Sequence, residues 1–333
     1  MTDQPQRTVF VTGGAGYVGS HCCRAFAEGG WRVVVFDNLS RGWRDFVRFG
    51  ELIEGDLMDQ ASIGAALAQV KPDLVAHFAA LAYVEESVRD PGHYYANNVT
   101  GTLHLLDAMR AAGADKLLFS STCATYGVPV RTPIDEGHPQ APINPYGRSK
   151  LMVEAVLADY AAAYDMRYVA LRYFNAAGAD PSGEFGERHE PETHVIPLAI
   201  AAAMNGQDTF RIFGDDFDTR DGTAVRDYIH VADLADAHPR ALDYLHRGGQ
   251  SDIFNLGTGV GTTVAEIAAA VERCSGRPLN RIMAGRRAGD PPALIASAEK
   301  ARQVLGWEPK HSDIDNIIRT AWRWHGQDPA LQR

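Results

Sequence analysis

The 333-residue sequence has few cysteines and no long apolar run, and each shortage excludes a class of protein. Its four cysteines, two of them adjacent at Cys22 and Cys23, do not form the pattern of a disulfide framework. No run of 18 apolar residues predicts a membrane-spanning helix, and the polar start, Met1 to Arg7, lacks the apolar centre of a signal peptide. The net charge of −10 argues against a general nucleic-acid or anionic-membrane surface. We expect a cytoplasmic protein with no nucleic-acid or membrane partner.

The first half of the chain alternates short apolar runs with helical patterns, which is typical of βαβ units. Over residues 1–175 this alternation predicts an α/β fold, a Rossmann-type doubly wound parallel sheet with helices on both faces. The predicted strands are Thr8–Val11, Val33–Phe36, Leu52–Ile53, Leu74–Phe78, Leu117–Phe119 and Tyr168–Leu171, and the helices between them include Val18–Glu28, Ser62–Gln69 and Tyr95–Ala112.

The pattern changes after Asn175, where Gly, Pro and acidic residues crowd Gly178–Glu192. We predict a smaller C-terminal α/β lobe over residues 176–333 that binds substrate and caps the open edge of the sheet. A segment near 226–250, with a helix at Val231–Leu245, is expected to return to the first domain. The other elements predicted for the lobe are the helix Val195–Met204, the turn-rich stretch Phe213–Thr223, the strand Ile253–Leu256, and helices near Thr263–Cys274 and Ser297–Leu305.

A glycine-rich turn follows the first predicted strand in "VFVTGGAGYVGSH", with glycines at 13, 14, 16 and 19. Such a turn brings backbone N–H groups and the positive end of a helix against a pyrophosphate, where a Cβ atom would block the approach. The second strand ends at Asp37, 18 residues beyond Gly19, where a carboxylate accepts hydrogen bonds from an adenosine ribose. Because that carboxylate would repel a 2′-phosphate, the sequence favours NAD over NADP.

Two further segments fit the same cofactor. "EGDLMD" follows the third strand and places Asp56 and Leu57 beside an adenine, and the small residues Ala79 and Ala80 end the fourth strand.

The stretch "NPYGRSK" places Tyr146 and Lys150 four residues apart at the start of a predicted helix. Side chains at this spacing share one helix face. The reference pKa of tyrosine, about 10, is too high for a base at neutral pH, but a nearby ammonium and a cationic nicotinamide favour the phenolate. An exposed aromatic–cation pair is the alternative interpretation, and the glycine-rich turn favours the catalytic one. Thr122, which ends the fifth strand in "FSSTCATYG", is placed to bind the substrate hydroxyl that Tyr146 deprotonates.

The sequence resembles the extended short-chain dehydrogenase/reductase family, and most closely its UDP-galactose (UDP-glucose) 4-epimerases. The glycine-rich turn and Tyr-x-x-x-Lys specify only the superfamily, whereas "LRYFNAAGA", "DGTAVRDYIHVADLA" and "RRAGD" are more specific to nucleotide-sugar 4-epimerases. The resemblance implies NAD-dependent interconversion of UDP-glucose and UDP-galactose, with a UDP-sugar as substrate. It also implies a homodimer through the helices near Tyr95–Ala112 and Asn144–Tyr164.

The resemblance extends the predicted site. Arg226 and Arg287 are expected to neutralise the substrate diphosphate, and Leu294 to border the sugar. The predicted catalytic residues are Tyr146, Lys150 and Thr122. The predicted cofactor contacts are Gly13, Gly16, Tyr17, Val18, Gly19, Asp37, Asn38, Asp56, Leu57, Phe78, Ala79, Ala80, Asn98, Ser120, Tyr146, Lys150 and Tyr173. The predicted substrate contacts are Thr122, Tyr146, Asn175, His194, Val195, Phe213, Arg226, Arg287, Asp290 and Leu294.

The chain departs from the family pattern at two positions. Some members carry Lys at the position of Ala82, and many carry Asn at the position of His194. The variants "AYV", "STCATYG" and "ETHVIP" resemble a subset that includes UDP-arabinose/UDP-xylose 4-epimerases and polysaccharide-pathway UDP-glucose 4-epimerases. A UDP-pentose or UDP-N-acetylhexosamine 4-epimerase therefore stays open, as does a non-catalytic NAD-binding regulator.

Three other activities are disfavoured. A sugar-nucleotide dehydratase would place Asp-Glu directly after Thr122, where this chain has Cys123 and Ala124. A role of Cys123 as a covalent nucleophile is also disfavoured, because the sequence shows no His and Asn that would activate it. His189 and His194 lie among acidic residues without the His-Glu-x-x-His spacing, so we predict no metal and a solvated loop.

Overall fold

The computed structural model describes residues 6–206, 208–287 and 290–327. Most of the polar start, through Pro5, and residues 288 and 289 of the "RRAGD" motif lie outside these ranges. The strands are β1 Thr8–Thr12, β2 Arg32–Asp37, β3 Glu51–Glu54, β4 Leu74–His77, β5 Lys116–Thr122, β6 Arg167–Tyr173, β7 Asn175–Ala177, β8 Thr209–Phe213, β9 Val225–His230, β10 Asp252–Leu256, β11 Gly261–Thr263, β12 Asn280–Ala284 and β13 Ala293–Leu294. The α-helices are α1 Tyr17–Glu28, α2 Gln60–Val70, α3 Val84–Arg89, α4 Pro91–Tyr95, α5 Gly101–Ala112, α6 Pro145–Tyr164, α7 Val195–Asn205, α8 Val231–His246, α9 Val264–Ser275, α10 Glu299–Leu305 and α11 Ile314–Gln327.

Seven parallel strands form the main sheet, in the order β10-β6-β5-β4-β1-β2-β3. The order reverses direction between β1 and β4, which is the point where doubly wound sheets bind ligands at the carboxyl ends of their strands. The Rossmann-type fold class is confirmed.

Both faces of this sheet are buried by helices, as its β-branched and aromatic strands require. On one face, α1 and α8 pack on a core that includes Val9, Phe26 and Phe254. On the other face, α2, α5 and α6 cover Phe10 and Phe119. The long helix predicted at Tyr95–Ala112 is interrupted, because a π-helical turn at Ala96–Thr100 precedes α5.

The C-terminal lobe is built on α7, α9 and α11, whose apolar faces share a core with Phe210 and Tyr228. Strands β7, β11 and β13 join β9 in one small sheet, and β8 pairs with β12 in another. These strands were not predicted from the sequence, because each has only two to six residues and little apolar periodicity.

Two elements that we assigned to the lobe are part of the main-sheet domain instead. The strand at Ile253–Leu256 is part of β10, which pairs with the edge strand β6. Helix α10, which the sequence placed near Ser297–Leu305, packs against β10 and α8. The chain therefore returns to the main sheet with more than the segment near 226–250. Among the described helices, none has both the length and the apolar character needed to cross a bilayer.

Candidate active site

A cleft of about 1450 Å³ separates the carboxyl edge of the main sheet from the C-terminal lobe. It contains the predicted cofactor and substrate residues except three, Asn98, Ser120 and Lys150, which lie behind its surface. The predicted residues that line it are Gly13, Gly16, Tyr17, Val18, Gly19, Asp37, Asn38, Asp56, Leu57, Phe78, Ala79, Ala80, Thr122, Tyr146, Tyr173, Asn175, His194, Val195, Phe213, Arg226, Arg287, Asp290 and Leu294.

The glycine-rich turn forms a cradle at the start of α1. Gly13 has φ +74°, and a Cβ there would lie 2.4 Å from the backbone nitrogen of Ala79. A Cβ on Gly19 would lie 2.2 Å from the carbonyl oxygen of Gly13. Gly16 is different, because a Cβ there would meet no protein atom closer than 3.4 Å. Gly16 is the N-cap of α1 and offers no side-chain cap, so the first N–H groups of the helix face the cleft. This arrangement fits a dinucleotide pyrophosphate.

The acid at the end of β2 is held by backbone donors. The Asp37 carboxylate accepts hydrogen bonds from the N–H groups of Ala15, at 3.0 Å, and Leu39, at 2.8 Å. Burial raises the pKa of Asp37, and these two hydrogen bonds oppose the rise. Next to it, the Asn38 side chain donates to Asp56 at 2.9 Å. The fixed carboxylate fits the ribose hydroxyls of an adenosine.

Tyr17 makes a contact that the sequence did not predict. Its hydroxyl donates to the carbonyl oxygen of Gly178 at 2.6 Å, which links α1 to the segment that enters the lobe. The Tyr17 hydroxyl is therefore occupied by a hydrogen bond within the protein, although the residue lines the cleft.

The start of α6 brings Tyr146 to the end of β5. Asn144 caps the helix by accepting the Gly147 N–H at 2.8 Å, and Pro145 occupies its first position. A Cβ on Gly147 would lie 2.4 Å from the carbonyl oxygen of Ala124, in the 3₁₀ turn Cys123–Thr125 that follows β5. Gly147 thus permits the close approach of α6 to the end of β5, where Tyr146 and Thr122 both line the cleft. Burial raises the pKa of Tyr146 to about 12, although the nearby Thr122 side chain opposes the rise.

Lys150 lies one helical turn deeper, on the same face of α6, and is only 3% exposed. Its ammonium donates to the carbonyl oxygen of Ser120 at 2.8 Å and lies 4.8 Å from the centre of the Phe119 ring. Burial lowers the pKa of Lys150 to about 7, and the Glu154 carboxylate opposes the shift. The Ser120 hydroxyl pairs with the hydroxyl of Tyr173 at 2.5 Å, so Ser120 contacts both Lys150 and a residue of the cleft.

A buried ion pair that the sequence analysis missed lies behind these residues. Arg172 and Glu154 are both buried and form two hydrogen bonds, at 2.9 and 2.5 Å. The Ser121 hydroxyl donates to the same carboxylate at 2.5 Å. The pair joins α6, β5 and β6 directly under Thr122. Its one sequence signal is Glu154 four residues after Lys150, on the same helix face.

Asn98 shapes the cleft from outside it. Its amide accepts the Leu81 N–H at 2.9 Å and donates to the Leu81 carbonyl at 3.0 Å. It is 2% exposed and does not line the cleft, whereas its neighbour Asn97 does. Asn98 therefore supports the loop after β4.

Two arginines that line the cleft from the lobe, Arg226 and Arg287, are each paired with a carboxylate. Arg226, on β9, forms an ion pair with Asp290. The Arg287 guanidinium lies 4.1 Å from the centre of the Phe213 ring and 3.7 Å from the Glu85 carboxylate across the cleft. Two guanidinium groups in one cleft fit the charge of a diphosphate.

Other predicted substrate residues take part in packing. Asn175 donates its amide to the Asp227 carbonyl at 3.0 Å, which holds β7 beside β9. Leu294, on β13, packs against a cluster that contains Cys123 and Phe174. It therefore lies close to Thr122, and both residues line the cleft with Tyr146.

His194 is the N-cap of α7, and Val195 is the first residue of that helix. Its imidazole lies 3.1 Å from the Glu187 carboxylate and 2.9 Å from that of Glu192. Burial alone would lower the pKa of His194, but the two carboxylates raise it to about 9. Glu187 and His189 also line the cleft, and neither was predicted as a site residue.

This site combines a dinucleotide cradle, a tyrosine and a threonine with a lysine behind them, and two arginines on the facing wall. The sequence matches the NAD dependent epimerase/dehydratase family over residues 9–257. A UDP-glucose 4-epimerase of Rhizobium leguminosarum bv. trifolii is 57% identical over 320 residues, which are 96% of this chain and 98% of the relative.

Solved structures agree with that relationship. The NAD complex of a UDP-glucose 4-epimerase from Brucella ovis has a TM-score of 0.93 and 53% identity over 95% of this chain and 97% of its own. The enzyme of the same name from Bifidobacterium longum, in complex with NAD+ and UDP, has a TM-score of 0.92 and 36% identity over 97% of this chain and 99% of its own.

Proposed function

The chain belongs to the NAD dependent epimerase/dehydratase family, and on that premise we propose that it interconverts UDP-glucose and UDP-galactose. The observation that carries the proposal is that Tyr146 and Thr122 line one cleft, with a dinucleotide cradle on one side and Arg226 and Arg287 on the other. In that position a tyrosine can exchange a proton with a sugar hydroxyl while the cleft holds the diphosphate.

The cofactor is held by residues already in place. The N–H groups at the start of α1 would take the pyrophosphate, and Asp37 would take the adenosine ribose. Asp56 and Leu57 border the adenine. The nicotinamide of NAD supplies a reversible hydride acceptor for C4 of the sugar, so the overall reaction has no net redox change.

The proton follows the protein side chains. Tyr146 removes the proton of the C4 hydroxyl, and Thr122, which lines the same cleft, relays or positions it. Lys150 in its charged form favours the phenolate, and the nearby Glu154 carboxylate favours that charged form. After the 4-keto sugar turns in the cleft, Tyr146 returns the proton to its oxygen.

The lobe keeps the intermediate in the site. Arg226 and Arg287 neutralise the diphosphate, Phe213 and Val195 border the uracil, and Asn175 and His194 complete the nucleotide contacts. Since UDP stays bound while the sugar turns, the reactive ketone is not released.

The test is an assay of UDP-galactose conversion by purified protein without added NAD, together with measurement of the nucleotide released on denaturation. We expect turnover and one NAD per chain, because a redox-neutral cycle consumes no cofactor. Asp37→Ala should lower the NAD content and weaken discrimination against NADP. Fully active protein with no bound nucleotide would contradict the proposal, and nucleotide-bound protein inactive on every UDP-sugar would favour a regulator.

We also propose a cytoplasmic homodimer that joins α5 and α6 of two chains. Met152 and Tyr164, both on α6, are large apolar side chains that are 43% and 46% exposed. Covering them with a second copy would remove apolar surface from water. Sedimentation equilibrium of the wild type and of Met152→Glu tests this assembly, and an unchanged mass would contradict the interface.

A further inference from the structure

Three metal-binding side chains converge in the wall of the cleft, on the segment between β7 and α7. Glu187, His189 and His194 each present one donor atom, and these atoms all lie within 4.8 Å of one another. The Glu187 carboxylate lies 3.3 Å from His189 Nε2 and 3.1 Å from His194 Nδ1. From the sequence, His189 and His194 were interpreted as part of a solvated loop because they lack the His-Glu-x-x-His spacing, and Glu187 was not considered. The structure brings them together through an irregular segment instead.

The cluster is buried at Glu187 and exposed at His194, whose side chain is 45% exposed. Glu187 is 4% exposed, and within the described residues its carboxylate is paired with the two imidazoles. The Tyr83 ring lies against both histidines, with centroid separations of 5.7 and 6.2 Å. The backbone N–H of His194 donates to Glu192 at 2.7 Å, which fixes the turn that carries the imidazole. A buried carboxylate held between two oriented histidines is a set of ligands already in place.

We propose that Glu187, His189 and His194 bind a divalent cation of the Zn²⁺ class. Two imidazoles and one carboxylate form a known three-ligand zinc set, with metal–ligand distances of about 2.0–2.2 Å. Donor atoms of such a tetrahedral site lie about 3.4 Å apart, so the observed separations close around a cation with small side-chain movements. The oxygen and nitrogen donors do not favour Mg²⁺ or Ca²⁺, which prefer oxygen alone.

The fourth position of this site is left to a ligand from the cleft, since all three residues line that cleft. A bound dication would offset the Glu187 and Glu192 carboxylates, since Glu192 lies 2.9 Å from His194 Nδ1. It would therefore remove negative charge from the wall that also carries Arg226 and Arg287. A water or phosphate oxygen fits the open position.

The experiment measures metal binding directly and does not depend on turnover. The NAD-bound enzyme, in a Cys274→Ser background that removes the exposed thiol, is treated with chelator and titrated with Zn²⁺ by calorimetry. A parallel Co²⁺ titration reports coordination by its visible absorption. We expect one equivalent of Zn²⁺ and a tetrahedral Co²⁺ spectrum.

Two variants decide the assignment. His189→Gln should weaken binding by at least about 10²-fold, since loss of even an outer partner of a metal ligand costs about 10–100-fold. His93→Gln, at an exposed histidine outside the cluster, should leave Zn²⁺ binding unchanged. Absence of a Zn²⁺ equivalent in the folded, NAD-bound protein overturns the proposal. Binding that His189→Gln does not weaken also overturns it.

Discussion

The two walls of the cleft are built in different ways. One, the strand-edge wall, consists of the glycine-rich turn Gly13–Gly19 with Asp37, Thr122 and Tyr146. Its contacts are close backbone approaches and hydrogen bonds, such as the two N–H groups that hold Asp37. The other, the lobe wall, consists of Glu187, His194, Arg226, Arg287 and Asp290. There the charged side chains pair with one another or with Glu85.

The difference indicates how each wall meets its ligand. On the strand-edge wall the N-cap of α1 has no side-chain cap, so a pyrophosphate can bind without displacing a protein group. On the lobe wall a diphosphate must replace Asp290 as the partner of Arg226 and Glu85 as the partner of Arg287. Because an existing ion pair is broken, each contact between an arginine and the diphosphate contributes less net binding free energy. Weaker binding suits a substrate that must leave after every turnover.

The largest expected effect is on the strand-edge wall. Tyr146→Phe removes the hydroxyl that exchanges the C4 proton, and turnover should fall by at least ~10², the lower range for a positioned acid–base group. NAD content should not change, because the cradle is untouched. Stopped assays with UDP-galactose measure the rate, and Tyr160→Phe, elsewhere on α6, is the matched control. Near-normal turnover of Tyr146→Phe would remove the tyrosine from the mechanism.

The next prediction concerns acid stability of the same wall. His77, at the end of β4, is 2% exposed and lies between the hydroxyls of Thr12, at 2.7 Å, and Thr102, at 2.9 Å. Since Thr102 donates its own hydrogen to the Asn98 carbonyl, His77 donates from Nε2 and accepts at Nδ1. The ring is therefore neutral, and burial lowers its pKa to about 3.

The folded-state pKa lies below the unfolded value of about 6.5, so the unfolded chain binds more protons between these pH values. This contribution to stability is present above pH 6.5 and is lost as pH falls. Between pH 6.5 and 5 it amounts to about 2 kcal/mol. Urea unfolding with saturating NAD, at pH 7 and 5, should show a pH dependence smaller by that amount in His77→Gln than in wild type. An equal pH dependence of both proteins would show that His77 is not the group responsible.

The lobe wall should respond to a change of cation geometry. Arg226→Lys keeps the charge but loses the planar fork that matches a phosphate, and KM for UDP-galactose should rise about 10-fold, within the ~1.5–3 kcal/mol of a charged hydrogen bond. Asp290→Asn removes the competing carboxylate and should lower KM. If both variants raise KM equally, the ion pair as a unit forms the binding surface, and Asp290 does not compete with substrate.

The strand-edge wall was largely predictable because its residues lie at strand ends, and strand order follows from the βαβ alternation. Each of its main features occupies a short stretch of sequence, namely the glycine-rich turn, Asp37 and the Tyr-x-x-x-Lys pair. The lobe wall was not predictable in this way. Its pairs join residues far apart in the chain, such as Glu85 with Arg287, and its strands are too short to show periodicity. Arg226 and Leu294 came only from resemblance, and Glu187 and His189 were missed.

The smallest expected effect is at Leu294, where the two walls meet. This side chain packs against the cluster with Cys123 and Phe174, next to Thr122, and lines the cleft. A leucine is shorter than an aromatic residue but still fills space that an acetamido group would need. Discrimination by bulk alone is worth ~1–3 kcal/mol, so we expect clear activity on UDP-galactose and weaker activity on UDP-N-acetylgalactosamine.

Leu294→Ser should raise the kcat/KM ratio of the N-acetylated sugar to UDP-galactose by about fivefold to tenfold, because the smaller side chain opens that end of the cleft. The volume-conserving Leu294→Met is the control and should leave the ratio near the wild-type value. A wild-type preference for the N-acetylated sugar, or a ratio unaltered by Leu294→Ser, would show that Leu294 does not control sugar size. Activity confined to UDP-pentoses would point instead to a UDP-arabinose/UDP-xylose 4-epimerase, since a pentose lacks the C6 hydroxymethyl group that a hexose must fit beside the same residues.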